Sequence, residues 1–201
     1  MSRVVVLNHV TLDGVMQGPG RPDEDTRDGF DHGGWAMPDN DDVMDQAMGA
    51  RLAGSGGLLL GRRSYEDILG YWNSIPDSPF ADALNNAQKY VASRSLREPL
   101  PWPNSTLLAD EVPEAVAELK VAELKKERGD DLHIMGSGAL IQSLLPHNLI
   151  DEYVLMIHPL VLGSGRRLFP DGSPYAALRL VDSVTTTKGV VIATYRPADA
   201  A

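Results

Sequence analysis

Twice in this chain a short apolar run ends on a glycine and passes directly into a helix-like stretch: "LLLGRRSYEDIL" at residues 58–69 and "LHIMGSGALIQSLLP" at residues 132–146. Each run is too short and too apolar for an amphipathic helix and reads as a buried strand, while the residues after the glycine carry helical spacing. Parallel neighbours need a crossover connection, usually a helix, so repeated strand–turn–helix units point to a mainly parallel sheet covered on both faces.

The remaining stretches extend this pattern. "RVVVLNHVTL" (3–12) is a β-branched first strand, and residues 13–38 form a Gly/Pro/Asp-rich loop, long enough to be read as a lid or substrate loop. Residues Asp41 to Leu52 are expected to be helical, with Val43, Ala47 and Ala50 on one face. "KYVAS" (89–93) and "STLLA" (105–109) read as strands, and residues 113–129 as a helix with proline first and glycine last. In that helix "VAELK" occurs twice; Ala115, Val116, Leu119 and Ala122 make one stripe, and Val121 and Leu124 face elsewhere as a small patch. "DEYVLMIHPLVL" (151–162) is a late strand, and "RLVDSVTTTKGVVIATYRP" (179–197) a closing pair joined at "KG", hence an antiparallel edge. The expectation is an α/β fold in a single domain, residues 1–201.

Composition narrows the chemistry. The chain of 201 residues has no cysteine, which removes disulfides, thiolate metal sites and a cysteine nucleophile. A net charge of -10 argues against a nucleic-acid partner, so any phosphate site must be local. The acidic run between residues 23 and 46 lacks EF-hand spacing and reads as a solvated loop, with no metal expected. The apolar run at the N-terminus is too short for a signal peptide or a membrane span, and a cytoplasmic protein without a membrane partner is the expectation. No glycine fingerprint of a Rossmann dinucleotide site follows the first strand, and the P-loop and G-x-S-x-G patterns are absent.

What remains are two strand–glycine–helix junctions. In open parallel sheets ligands bind beyond the strand C-termini, where free helix N–H groups attract anions. Gly61 with Arg62, Arg63 and Ser64, and Gly136 with Ser137 and Gly138, are therefore candidate phosphate cradles; the plain alternative is that glycine merely permits two tight turns. Adjacent helical residues point about 100° apart, so one of the two arginines is expected on the ligand and the other on an acid such as Glu66 or Asp67. Ser93 and Arg94 in "VASRSL" suit a phosphomonoester such as the 2′-phosphate of NADP, because arginine presents a planar fork of donors. His9 and His158, in apolar strands, read as structural histidines. Trp35, Tyr71 and Trp72 read as packing or as walls for a flat heterocycle, and Arg166 and Arg167 as loop charges, the alternative being a substrate phosphate site.

Five motifs in one order, "TLDGVMQGPG", "LLLGRRSYE", "YVASRSL", "LHIMGSGALIQSLL" and "LIDEYVLMIHPLVLGSGRRLF", resemble the dihydrofolate reductase-like superfamily, in the branch of the riboflavin-biosynthesis reductase (RibD) C-terminal domain. The resemblance implies a twisted, mostly parallel sheet of about eight strands flanked by helices. It also implies NADPH as cofactor. On this chain it places Gly61, Arg62, Arg63 and Ser64 at the first phosphate turn and Ser93 and Arg94 at the adenosine 2′-phosphate. Gly136, Ser137, Gly138, Ala139 and Leu140 fall at the pyrophosphate and nicotinamide ribose, with Ser137 standing in a turn that is usually all glycine and able to cap the helix behind it. Asp13 matches an aspartate on the substrate side and is the candidate acid, the plain alternative being a turn aspartate before Gly14; Asp41, Asp42 and Asp45 lie where folate reductases carry theirs.

The implied activity is NADPH-dependent reduction of a small heterocyclic or sugar-linked substrate, of the 5-amino-6-(5-phosphoribosylamino)uracil reductase type. A dihydrofolate or pteridine reductase and a non-catalytic NADPH-binding module are the alternatives. The zinc deaminase that precedes this domain in bifunctional relatives needs cysteines that this chain lacks. A homodimer is expected from the same resemblance.

Overall fold

The eight residues Val4–Thr11 are all buried except His9, so β1 is covered on both faces, as a strand inside such a sheet must be. The structure, a computed structural model, describes residues 3–53, 55–108, 112–124 and 130–198, with residues 120–124 described by their backbone. Along the chain follow α1 (Asp42–Ala53), β2 (Ser55–Gly61), α2 (Arg62–Asn73), α3 (Pro79–Asn86), β3 (Lys89–Ala92), β4 (Ser105–Leu108) and α4 (Val112–Leu124). Then come β5 (Asp131–Met135), α5 (Gly138–Leu144), β6 (Glu152–His158), β7 (Leu178–Thr185) and β8 (Val191–Pro197). The strand order is β4-β3-β2-β5-β1-β6-β8-β7, a mostly parallel sheet with an antiparallel edge.

The chain divides into two compact units, Met1–Val5 with Gly54–Ile150, and Val6–Ala53 with Asp151–Ala201. In the first, β4, β3, β2 and β5 pair in parallel, with Gly61 opposite Ala92 and Leu58 opposite both Lys89 and His133. Parallel pairing puts the C-terminal ends of β3, β2 and β5 on the same side. Helix α2 buries Tyr65 and Leu69, one turn apart, and Trp72 packs edge-on against Phe80 of α3 at 4.7 Å, so Trp72 joins two helices rather than walling a ligand. Tyr71 in turn stands edge-on to Trp72.

Helix α3 is an element that the strand-and-helix reading of the sequence passed over. Its signal is nevertheless present: Ser78 accepts a hydrogen bond from the Ala81 N–H, and Pro79 occupies the first helical position. In α4 Val116 of the expected stripe is fully buried, whereas the side chains of Ala122, Val121 and Leu124 lie outside the described residues.

In the second unit β6 and β7 both pair antiparallel to β8. β6 ends at His158, ahead of Pro159, so the strand expected to reach residue 162 is shorter. Helix α1 turns a different face inward from the one expected: Met44 is its buried residue and Ala50 is exposed. The long loop is ordered by its own small core of Val15, Phe30, Trp35 and Ala36, and the Trp35 indole N–H donates to the Gln17 carbonyl at 2.7 Å. Trp35 is thus a packing residue.

Asp41 caps α1, accepting from the Met44 N–H at 3.0 Å, and its other oxygen accepts the Thr187 hydroxyl and N–H at 2.6 and 2.7 Å. The Thr187 hydroxyl, with the Met44 N–H, holds the carboxyl down to about 2. A depressed carboxyl stabilises only while ionised. Its contribution is therefore complete above about pH 4 and is lost as pH falls through about 2. Thermal melts against pH are expected to show Asp41→Asn with a lower midpoint than the parent near neutrality, the two curves converging at the acid end; parallel curves would remove this role.

Candidate functional site

The two glycine turns interlock. Gly61 ends β2 and Gly136 follows β5, its parallel neighbour. The Ser137 hydroxyl oxygen accepts the Gly61 N–H at 2.7 Å, and the hydroxyl donates to Ser64 Oγ at 2.8 Å. A side-chain carbon at Gly61 would stand 3.2 Å from Ser137 Oγ, and one at Gly136 would stand 3.2 Å from Ser64 Oγ, so a side chain at either position would crowd the contact between the turns. Gly136 and Ser137 are left-handed, with φ of +65° and +64°. Ser137 does not cap α5: its hydroxyl is turned sideways onto the first glycine turn.

The helices that follow these turns differ from α1 and α3 in their N-termini. Asp41 caps α1 and Ser78 caps α3 through side-chain oxygens, whereas neither α2 nor α5 has a side-chain cap. No acidic residue lies in the first turn of α2 either. Its first N–H groups and partial positive charge are left for an anion.

Three arginines surround this start. Arg62 is committed, its Nε lying 3.1 Å from Glu66 and its Nη1 donating to Ser95 Oγ at 2.7 Å. That second bond ties the start of α2 to the turn after β3. Arg63 is exposed, and its guanidinium makes no hydrogen bond or ion pair among the described residues, which leaves it as the arginine of the pair available to a ligand. Ser93 is buried and its oxygen accepts from the N–H groups of Ser95 and Leu96 at 3.2 and 3.0 Å, shaping the turn that presents Arg94. The exposed Arg94 guanidinium has no partner among the described residues. The eleven residues from Gly61–Ser64, Ser93–Arg94 and Gly136–Leu140 thus fall on adjacent parallel strand ends of one unit, with Ala139 exposed and Leu140 buried beneath them.

Asp13 belongs to the second unit and is a carboxylate with its lone pairs in use. It accepts from the Thr11 hydroxyl at 2.6 Å and from the N–H groups of Leu162 and Gly163 at 3.2 and 2.8 Å. The Thr11 hydroxyl, aided by those two N–H groups, holds its pKa below the usual carboxylate value. The side chain joins the end of β1 to the turn after β6, and such a group orients or accepts more readily than it donates a proton. Arg167 donates to the Asp13 carbonyl at 3.0 Å and Arg166 to Asp28 at 2.7 Å, so both fasten the long loop to the segment after β6. Asp45 accepts from Asn40, and Asp42 is exposed in the first turn of α1.

Histidines 9 and 158 are the feature the sequence understated. Nδ1 of His9 lies 2.9 Å from Nε2 of His158, and Nδ1 of His158 lies 3.0 Å from an Asp39 carboxylate oxygen. The Trp35 ring closes edge-on over His158 at 5.2 Å.

A family model described as the RibD C-terminal domain matches residues 3–192. The chain belongs to the RibD C-terminal domain family. This RibD-type chain is 31% identical over 202 residues to YyaP of Bacillus subtilis (strain 168), an uncharacterized protein, covering 96% of this chain and 94% of YyaP. A putative riboflavin biosynthesis protein from Shewanella sp. PV-4 superposes with a TM-score of 0.73 at 23% identity, over 98% of this chain and 99% of that one. A Thermotoga maritima diaminohydroxyphosphoribosylaminopyrimidine deaminase/5-amino-6-(5-phosphoribosylamino)uracil reductase gives a TM-score of 0.61 at 14% identity, over 98% of this chain and 57% of that one. Dihydrofolate reductase from Enterococcus faecalis, complexed with NADP(H), gives 0.56 at 14% identity, covering 98% and 97%. At these identities the solved structures establish the dihydrofolate reductase-like fold. Among the described residues no helix is long and apolar enough to cross a membrane.

Proposed function

We propose that this RibD-type protein is an NADPH-dependent reductase of a small heterocyclic or sugar-linked substrate, of the 5-amino-6-(5-phosphoribosylamino)uracil reductase type. The observation that carries the reading is the interlocked pair of glycine turns beside an uncapped α2 and two uncommitted arginines, Arg63 and Arg94. These residues fit a dinucleotide phosphate: backbone N–H groups for the pyrophosphate, and planar guanidinium donors for a phosphomonoester. When bound, NADPH supplies a hydride; the chain has only to bind, orient and provide a proton. In this reading the start of α2 and the Gly136–Leu140 turn hold the pyrophosphate, and Ser93 and Arg94 hold the 2′-phosphate.

Calorimetric titration with NADPH and with NADH tests this. Selective binding of NADPH is the expected outcome. Arg94→Ala is expected to weaken NADPH binding by about 10- to 100-fold, the worth of a charge-assisted contact, while leaving NADH unchanged. An intact preference for NADPH in that variant would move the 2′-phosphate elsewhere, and no binding of either nucleotide would overturn the reductase reading.

A further inference from the structure

Five non-glycine residues among those described have a left-handed backbone. Four of them, Asp28, Asp77, Asn104 and Asn148, are of the types whose short polar side chains tolerate it. The fifth is Ser137, at a φ of +64°, directly after Gly136 at +65°. Serine has no such tolerance, and glycine would take this conformation without strain. A serine held there is explained by what its side chain does.

The Ser137 hydroxyl is the middle of a directed run of hydrogen bonds that lies wholly in the first unit. The Gly61 N–H can only donate. It occupies a lone pair of Ser137 Oγ at 2.7 Å, and the Ser137 hydrogen points to Ser64 Oγ at 2.8 Å. Ser64 Oγ makes no other hydrogen bond among the described residues, so its own hydrogen is the free end of the run. Each bond polarises the next, which makes this last hydroxyl a stronger donor than an isolated serine. Ser64 is half-buried in the first turn of α2, where no acidic residue lies, and Glu66 beyond it is engaged by Arg62. The acceptor that suits such a donor is an anionic oxygen brought by a ligand.

We propose that Ser137 is a positioning residue of the nucleotide site: it aims the Ser64 hydroxyl at a non-bridging oxygen of the diphosphate and acts on the ligand only through Ser64. This rests on the dinucleotide-phosphate site of the reading above. With glycine at position 137 the Gly61 N–H would lose its acceptor and the Ser64 hydroxyl would turn freely. The chain thus uses an oriented hydroxyl where an all-glycine turn would offer a backbone N–H.

Calorimetric titration with NADPH, NADH and ADP, each of which carries a diphosphate, tests this on the parent, Ser64→Ala, Ser137→Gly and the double variant. Glycine suits a φ of +64°, so Ser137→Gly keeps the fold, which a circular-dichroism melt verifies. Ser64→Ala is expected to weaken all three ligands by about 10-fold, the worth of a hydrogen bond to a charged oxygen, and Ser137→Gly by about 5-fold or more. The ratio of NADPH to NADH affinity stays that of the parent in both, unlike in Arg94→Ala. In the Ser64→Ala background, Ser137→Gly is expected to change affinity by less than about twofold. A merely structural bridge would weaken binding as much without the Ser64 hydroxyl as with it, and that result overturns the proposal. So does an unchanged or lower Kd in Ser137→Gly, which would mean that the released Gly61 N–H serves the ligand better. ADP binding with the expected coupling but without NADPH selectivity would remove the reductase reading and leave the proposal standing. No binding of any of the three overturns both.

Discussion

Replacing Lys89 by methionine lowers the thermal midpoint by about 6–12 °C, the equivalent of about 3 kcal/mol in a protein of this size. Lys89 opens β3 with its side chain fully buried, and its ammonium donates to the carbonyls of Leu84, Asn85 and Ala87 at 2.6, 3.2 and 2.7 Å. These carbonyls close α3, where the helix leaves its last acceptors unpaired and its dipole is negative. Burial pulls the ammonium down to about 8, so desolvation offsets part of what the three contacts contribute. Methionine keeps the volume of the stem and removes only the donor, taking that partner from the Leu84 and Ala87 carbonyls while the Asn85 carbonyl keeps the Asn104 amide at 3.0 Å. A midpoint within about 2 °C of the parent in calorimetry would mean that water reaches those carbonyls.

Gly136→Val is expected to weaken NADPH binding by about 100-fold or more while the fold survives. Valine at a φ of +65° is strained, by about 1–3 kcal/mol. Its Cβ would also stand 3.2 Å from Ser64 Oγ, and the branched side chain would push apart the two turns that Ser137 holds together. Strain and displacement are separable with Gly172→Val: φ there is +84° and nothing lies within 4 Å of the added carbon, so that variant has comparable strain and keeps its affinity. Equal affinity of the parent and Gly136→Val in calorimetry would exclude the second glycine turn from the nucleotide site.

Much of this molecule was legible in the sequence because it is local. The apolar runs, the glycines after them and the helical spacing beyond describe strand–turn–helix units whose geometry depends on neighbours within a few residues. Arg62 on Glu66 was likewise foreseeable, since residues four apart share a helix face. Helix α3 was equally local, announced by Ser78 and Pro79, but its eight residues carry too little apolar periodicity to stand out. The face of α1 was misplaced for a different reason: Val43, Met44, Ala47 and Ala50 allow more than one inward side, and packing chose Met44.

The sequence by itself determined the α/β class, the two glycine turns and the absence of any cysteine chemistry, because each follows from short-range sterics or composition. Tertiary structure decided which groups meet. Ser137 reaches Gly61 across 76 positions, Asp13 reaches Gly163 across 150, and His9 reaches His158 across 149. Such pairs form when strands distant in the chain come together, and no local pattern marks a serine as a bridge, a lysine as a buried cap or a histidine as the partner of another. The roles of these side chains are set by partners that the backbone topology supplies.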